Sequence, residues 1–186
     1  MEVDACEKIV HKLLQEKKFR NIQVRCEKWD GNPQLRTARG FFTADPHSDT
    51  ESNLNAAIVL LPERIHGGES EIRELLTHEF IHAYDHFELR KDLTLCPELA
   101  CSEIRAAREA ECAGFSTNFL VSFACRRLGS NTEYCDRIKK TCVYRVARRS
   151  TRSVFTEDEA TACVENMFET CYRDVRGSFS EATAPE

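Results

Sequence analysis

The stretch Thr77-His78-Glu79-Phe80-Ile81-His82-Ala83-Tyr84-Asp85-His86 decides the fold around it. His78 and His82 are four residues apart, so on a helix both imidazoles lie on one face, one turn apart. Glu79 leans toward the same side of that helix. This His-Glu-x-x-His pattern provides two zinc ligands and a carboxylate that can accept a proton from a zinc-bound water. The stretch therefore predicts a zinc hydrolase centre on a helix.

The sequence around the histidines is helical in pattern. Apolar residues recur at three- and four-residue steps, namely at Ile72, Leu75, Leu76, Phe80, Ile81 and Tyr84. Neither glycine nor proline falls between Glu69 and Cys96, so nothing in this stretch interrupts a helix. We expect a helix over residues 70–90, with the two histidines near its middle.

A catalytic zinc site needs a third protein ligand and an open position for water. Glu103 is our first candidate, because it lies on the next predicted helix, where a thermolysin-like site has its glutamate ligand. His86 is the second candidate, although three ligands along one straight helix diverge around a metal ion. Asp85 and Glu111 are further alternatives. Any candidate that is not a ligand is expected at the surface or in contact with a ligand's outer side.

Composition indicates one globular domain. The chain has 186 residues, of which 41% are hydrophobic, enough for one compact core. Its formal net charge of −5 gives no support to nucleic-acid binding. No run of eighteen apolar residues is present, so we expect no transmembrane helix. The acidic first residues, 1–7, resemble neither a secretory signal nor an Arg-rich mitochondrial presequence.

The chain contains ten cysteines, an even number, and none of them forms a Cys-x-x-Cys pair. They are Cys6, Cys26, Cys96, Cys101, Cys112, Cys125, Cys135, Cys142, Cys163 and Cys171. A structural zinc site usually has closely spaced ligand pairs, so a disulfide framework in an oxidising compartment fits better. Ten buried thiols in a reducing cytosol are the alternative.

The remaining pattern predicts an α+β, zincin-like fold with a small antiparallel or mixed sheet and several helices. Further helices are expected over residues 4–18, 97–128 and 132–148, and from Thr156, where Thr156 and Glu159 form a capping box. Strands are expected at residues 21–26, 40–43 and 56–61. The last strand either offers an edge to an extended substrate or is simply buried.

No linker divides the chain, so we expect a single metallopeptidase domain over residues 1–186. Its parts are an N-terminal helix and strands (1–68), the active-site helices (69–130), a C-terminal helical hairpin (131–176) and a frayed tail (177–186).

Cysteine spacing predicts how the C-terminal hairpin is cross-linked. Cys135 and Cys142 are about two helical turns apart, as are Cys163 and Cys171, so each pair lies on one stripe of its helix. A short connection favours antiparallel packing, which would place Cys142 beside Cys163 and Cys135 beside Cys171. We expect at least one disulfide between the two stripes, so that the helical C-terminal region is stapled.

These motifs together resemble the mitochondrial inner membrane metalloproteases that serve ATP synthase assembly, also described as Ku-binding proteins. The segments that carry the resemblance are His-Glu-Phe-Ile-His-Ala-Tyr-Asp-His at 78–86, Leu-Ala-Cys-Ser-Glu-Ile-Arg-Ala-Ala at 99–107, Glu-Cys at 111–112 and Val-Glu-Asn-Met-Phe-Glu-Thr-Cys-Tyr at 164–172. It covers about residues 55–174. Linked motifs of this kind are far more specific than His-Glu-x-x-His alone.

The resemblance implies a zinc-dependent endopeptidase in the intermembrane space, peripherally associated with the inner membrane. It implies that His78 and His82 bind Zn²⁺, that Glu79 is catalytic, and that the partners are protein or peptide substrates and membrane subunits of ATP synthase. It also explains the cysteines, because proteins of that compartment are trapped there by disulfide formation. A Cys142–Cys171 link is the pairing that the resemblance suggests.

This chain departs from the family in two places. Phe87-Glu88 stands where the family often has Cys-Arg, and residues 56–61 lack a cysteine that is common there. The departures leave the zinc chemistry intact, but they affect the disulfide pattern and the identity of the substrates.

The predicted mechanism uses zinc to lower the pKa of a bound water toward about 7, while Glu79 accepts the proton and returns it to the leaving amine. Tyr84, Arg105 and His66 are candidates for stabilising the oxyanion. The alternative function is a non-catalytic assembly factor or interaction module with a vestigial or dispensable zinc site. An intact Glu79 favours the enzyme.

Overall fold

The computed structural model describes residues 1–15, 23–31, 38–44, 56–113 and 133–176. The helices of this part of the chain are α1 (Val3–Leu14), α2 (Gly68–Phe87), α3 (Cys96–Glu109), α4 (Glu133–Thr151) and α5 (Glu157–Arg173). The strands are β1 (Gln23–Cys26), β2 (Gly40–Thr43) and β3 (Ala57–Leu60), and a 3₁₀ turn follows at Pro62–Arg64. The predicted α+β class with a small mixed sheet is confirmed. None of the helices described here has both the length and the apolar character to cross a bilayer.

The sheet has the order β1-β3-β2, with β3 parallel to β1 and antiparallel to β2. All four residues of β3 are buried, and the strand has a hydrogen-bonded neighbour on each side. The expectation that this strand offers an edge to a substrate is therefore wrong, and the buried-strand alternative is right. Among the described strands, β2 lies at the edge of the sheet that contacts α2.

Two hydrophobic cores stabilise the described part of the fold. The first lies between α1, the sheet and α2, and its fully buried members include Leu13, Ile58, Leu60, Ile72 and Leu76. The second lies between α3, α4 and α5, and it includes Ala100, Ile104, Val143, Ala147 and Val164. Helices α2 and α3 contact each other and so connect the two cores.

A buried ion pair crosses the contact between α2 and α3. The side chains of Asp85 and Arg105 are both fully buried, and the guanidinium of Arg105 donates to Asp85 Oδ1. Arg105 also donates to the backbone carbonyl of Arg176 and lies 3.9 Å from Asp174 Oδ2. One arginine therefore joins α2, α3 and the segment after α5.

Helix boundaries differ from the predicted ones where tertiary contacts intervene. The motif helix, predicted over 70–90, ends at Phe87, and Arg90 has a φ of 52°, which turns the chain away from the helix. The helix predicted over 97–128 ends at Glu109, where Ala110 adopts a non-helical conformation. The predicted continuation beyond Ala113 and the predicted tail from Gly177 lie outside the described residues.

The C-terminal hairpin is antiparallel, as expected. Side chains pair along it in opposite order, with Tyr172 Oη 3.2 Å from Asp136 Oδ1 and Tyr144 Oη 3.1 Å from Glu165 Oε1. The predicted cap at Thr156 is present, since its hydroxyl accepts from the backbone N–H of Glu159 at 3.4 Å.

The cysteine pairing within the hairpin is not the predicted one. Four pairs of cysteines with both partners among the described residues have their sulfur atoms at disulfide-bond distance: Cys6–Cys26, Cys96–Cys163, Cys101–Cys171 and Cys112–Cys142. The expected Cys142–Cys163 and Cys135–Cys171 pairs are therefore wrong, as is the alternative Cys142–Cys171. The physical reason is that α3 packs against both helices of the hairpin more extensively than they pack against each other. The staples therefore run from α3 and the turn after it to each helix of the hairpin.

Disulfide mapping can test this arrangement. Peptides released from unreduced protein should link Cys101 to Cys171 and Cys96 to Cys163, and reduction before digestion should separate them. The reason is geometric, since these sulfurs already lie 2.07 Å apart in the folded chain. Recovery of a peptide that links Cys142 to Cys163 would contradict the fold described here.

The buried ion pair makes a second prediction. Asp85→Ala should lower the free energy of unfolding by about 3–5 kcal/mol, because it leaves the buried charge of Arg105 without its partner. Thermal or denaturant unfolding measures the change. Lys12→Ala serves as the control, because it removes the exposed pair between Lys12 and Glu69 and should barely alter the melting temperature. Equal effects of the two substitutions would refute the importance of the buried pair.

Candidate metal centre

Helices α2 and α3 bring three potential metal ligands together. His78 and His82 lie on α2, and Glu103 lies on α3, with all three side chains buried. His78 Nε2 is 3.3 Å from Glu103 Oε2, and His82 Nε2 is 3.6 Å from Glu103 Oε1. One ligand atom from each residue lies within 4.8 Å of the others. The first candidate for a third ligand is therefore placed beside the two histidines.

The donor set fits a divalent metal ion. Two imidazole nitrogens and one carboxylate oxygen are the ligand types that zinc takes in catalytic sites. Among the described residues, Glu103 Oε2 is buried and accepts no hydrogen bond of good geometry, although it lies 3.3 Å from His78 Nε2. A buried carboxylate oxygen without a partner is costly unless a cation satisfies it. The orphaned oxygen faces the two imidazoles, where such a cation would lie.

The outer nitrogens of both histidines have partners that fix the imidazole rings. His78 Nδ1 is 3.0 Å from Glu111 Oε1 and 3.1 Å from Glu111 Oε2, and His82 Nδ1 is 2.8 Å from Ser102 Oγ. Each ring can therefore keep its proton on Nδ1 and turn Nε2 toward Glu103. The sequence predicts that Glu111 is either a ligand or a contact to one, and in the structure it contacts the outer nitrogen of His78. The role of Ser102 was missed, and its only sequence signal is that it precedes Glu103 on the same helix.

Glu79 lies beside the cluster without belonging to it. Its carboxyl group is buried and accepts a hydrogen bond from the backbone N–H of Phe42, in the edge strand β2. Burial raises the pKa of Glu79 to about 7, and the negative charge of Glu103 acts in the same direction. Near neutral pH this carboxyl group can both accept and release a proton.

The two histidines differ in their electrostatics. Burial disfavours charge on His78, but the carboxylates of Glu111 and Glu103 outweigh it and raise the pKa of His78 well above 6.5. Burial lowers the pKa of His82 to about 4, and the charge of His78 adds to this shift. Burial opposes ionisation of Glu103 too, yet the two histidines lower its pKa. The site thus combines a neutral imidazole with a carboxylate held in its charged form.

The other candidates from the sequence lie elsewhere. His86 contacts the rings of Phe42 and Phe87 and is not among the described groups that could hold a metal ion. Asp85 binds Arg105, and this buried pairing also makes Arg105 unavailable to a substrate oxyanion. His66 is exposed, and its backbone N–H donates to Glu71 at 2.8 Å. Of the three oxyanion candidates, Tyr84 and His66 remain.

A His-His-Glu cluster on two packed helices, with a separate buried glutamate beside it, is the arrangement of a metal-dependent peptidase. A family model described as the peptidase M76 family matches residues 4–178. The chain therefore belongs to the peptidase M76 family, and the resemblance drawn from its motifs is confirmed.

Several curated relatives carry the name mitochondrial inner membrane protease ATP23. The human ATP23 homologue is 30% identical over 141 residues, which is 73% of this chain and 54% of the human protein. The Danio rerio homologue is 30% identical over 160 residues, or 84% and 53% of the two chains. ATP23 of Meyerozyma guilliermondii is 32% identical over 107 residues, or 57% and 42%. The chain spans about half the length of the curated relatives it matches, and no solved structure matches it significantly.

Metal binding discriminates between the candidate ligands. Purified protein should bind about one zinc ion per chain, and His78→Ala or His82→Ala should abolish binding. Glu103→Ala should weaken it by at least about tenfold, since loss of a ligand should cost no less than loss of a ligand's partner. His86→Ala is the matched control and should bind as wild type. Competition with a chromophoric chelator measures each affinity, and a larger loss in His86→Ala than in Glu103→Ala would exchange the two roles.

Proposed function

We propose that the chain is a zinc-dependent endopeptidase in which His78, His82 and Glu103 hold the metal ion and Glu79 is the catalytic base. The observation that carries the proposal is the buried cluster of three ligand atoms beside a second buried carboxyl group, that of Glu79, which takes no part in the cluster. A site that only stored a metal ion would have no need of that separate group. Membership of a peptidase family supports the same assignment.

When bound, zinc would activate a water and polarise the peptide carbonyl. Glu79 accepts the proton of the attacking water and later delivers it to the leaving amine, so one carboxyl group serves both steps. Burial supports this role, because it brings the pKa of Glu79 to about 7. The N–H of Phe42 holds the carboxyl group in place, so that it is oriented before a substrate arrives.

The edge strand β2 supports a mode of substrate binding. An extended peptide can add to an exposed sheet edge through main-chain hydrogen bonds, and specificity then comes from its side chains. The backbone N–H of Phe42 belongs to β2 and reaches Glu79, so the edge of this strand lies next to the proposed base. We infer that the substrate backbone runs along β2, which replaces the role expected for β3.

The location and partners follow from the relatives. Proteins named mitochondrial inner membrane proteases match most of this chain, so we place its action on proteins of the mitochondrial inner membrane and intermembrane space. Peripheral attachment to the inner membrane and assistance to ATP synthase assembly, through its membrane subunits, belong to the same proposal. The four cysteine pairs at bonding distance in the described part of the chain support an oxidising compartment.

Separation of metal binding from turnover tests the proposal. Glu79→Gln should keep the zinc affinity of wild type, because Glu79 is not a ligand, and should lose proteolysis of an unstructured protein or peptide library by at least about a hundredfold. Glu88→Gln, an exposed position just beyond α2, makes the same chemical change away from the site and should retain full activity.

The alternative function makes the opposite prediction. If the chain is a non-catalytic assembly factor, wild type and Glu79→Gln should support the assembly of client membrane subunits equally, and neither should cleave any peptide. Cleavage by wild type that persists in Glu79→Gln would instead remove Glu79 from the mechanism while leaving a peptidase.

A further inference from the structure

We propose that Glu111 is a positioning residue for the metal ligand His78, and that the Cys112–Cys142 disulfide holds Glu111 in that position. The inference rests on the proposed metal site and adds a link between the covalent state of one cysteine pair and the affinity of the site. It concerns residues outside the ligand set, on the turn that follows α3.

The contact between Glu111 and His78 is bifurcated. The two carboxylate oxygens lie 3.0 and 3.1 Å from the same ring nitrogen, Nδ1, whereas Glu103 faces the opposite nitrogen, Nε2. A carboxylate that accepts the outer N–H of a ligating histidine fixes its tautomer and ring orientation and increases its basicity. Only 19% of the Glu111 side chain is exposed, so water competes weakly for this bond.

The path of the backbone after α3 determines where Glu111 points. The helix ends at Glu109, and the turn is closed by hydrogen bonds from Ala110 N to Ala106 O at 2.8 Å and from Cys112 N to Ala107 O at 2.9 Å. The position of Glu111 therefore depends on the geometry of a turn at a helix terminus, where helices fray.

The next residue anchors that turn covalently. Cys112 is fully buried, and its sulfur lies at bonding distance from that of Cys142 on α4. The bond connects the turn to the second hydrophobic core, in which both cysteines take part. Since Cys112 follows Glu111 directly, the bond limits movements of the turn that would carry the carboxylate away from His78.

Two simpler explanations compete with this one. Glu111 could serve only to neutralise a buried histidine, and the disulfide could serve only global stability. Both explanations predict effects on unfolding. Neither predicts a change in metal coordination in protein that remains folded, nor a coupling between the carboxylate and the disulfide.

The first arm of the experiment measures metal coordination in Glu111→Gln and Glu111→Ala. Zinc affinity should fall by about ten- to a hundredfold in the alanine variant and by less in the glutamine variant, whose amide oxygen can still accept from Nδ1–H. The visible spectrum of the cobalt-loaded protein should change with the ring orientation. Glu109→Gln is the matched control, since Glu109 is two residues away and pairs with Arg108 instead. It should match wild type in both readouts.

The second arm tests the disulfide. Replacing Cys112 and Cys142 together by serine should weaken zinc binding in folded protein, whereas replacing Cys96 and Cys163 should not. Addition of Glu111→Ala to the first double variant should cost little more, because both changes remove the same contact. Circular dichroism shows whether each variant is folded. If Glu111→Ala does not fold, the isosteric Glu111→Gln tests the same contact.

The outcomes distinguish failure of the proposed function from failure of the positioning role of Glu111. If wild type binds no metal, the proposed function fails. If wild type binds zinc but Glu111→Ala binds it equally well with an unchanged cobalt spectrum, the positioning role is refuted and the proposed function stands. If the serine double variant keeps wild-type affinity, or if its effect adds fully to that of Glu111→Ala, the disulfide does not act through Glu111.

Discussion

Buried charge between α2 and α3 is the constraint on which the rest of this structure depends. Seven ionisable side chains on these helices are withdrawn from water, and each would destabilise the fold without a partner. They are His78, Glu79, His82 and Asp85 on α2 and Glu103, Arg105 and Arg108 on α3. Arg105 pairs with Asp85. The Asp85–Arg105 pair requires one register between the helices, and in that register Glu103 faces both histidines. The structural ion pair and the candidate metal centre are thus two parts of one interface.

Helix α3 has a second role, which explains the pattern of cross-links. Its first and sixth residues, Cys96 and Cys101, are tied to α5, and the turn after it is tied to α4 through Cys112. The first half of α3 is therefore joined to α5, and the turn after α3 is joined to α4. Among the described residues, three cysteine pairs thus join α3 and the turn after it to the C-terminal hairpin.

The sequence predicted the parts of the site that depend on local spacing. His78 and His82 lie on one helical face because α-helical periodicity places them there, and the strands at 40–43 and 56–61 followed from short apolar runs. Sequence spacing did not predict contacts between residues that are remote in sequence. Cys163 and Cys171 share a stripe as expected, but the stripe faces α3 rather than α4. Helical periodicity also extended the predicted α3 beyond Glu109, because the contact between Glu111 and His78 leaves no signal in the local sequence.

The hydrogen bond from Phe42 to Glu79 comes from the main chain, and this has a consequence for how the site can change over generations. Exchange of one side chain for another at position 42 leaves the backbone N–H in the same place. The contact therefore depends on the backbone path of β2 and not on the residue type at position 42. Only proline, which has no N–H, would erase it directly. Surveys of single substitutions would therefore report position 42 as tolerant on this account, even though its backbone orients the proposed base. The position of the Phe42 N–H is set by the pairing of β2 with β3.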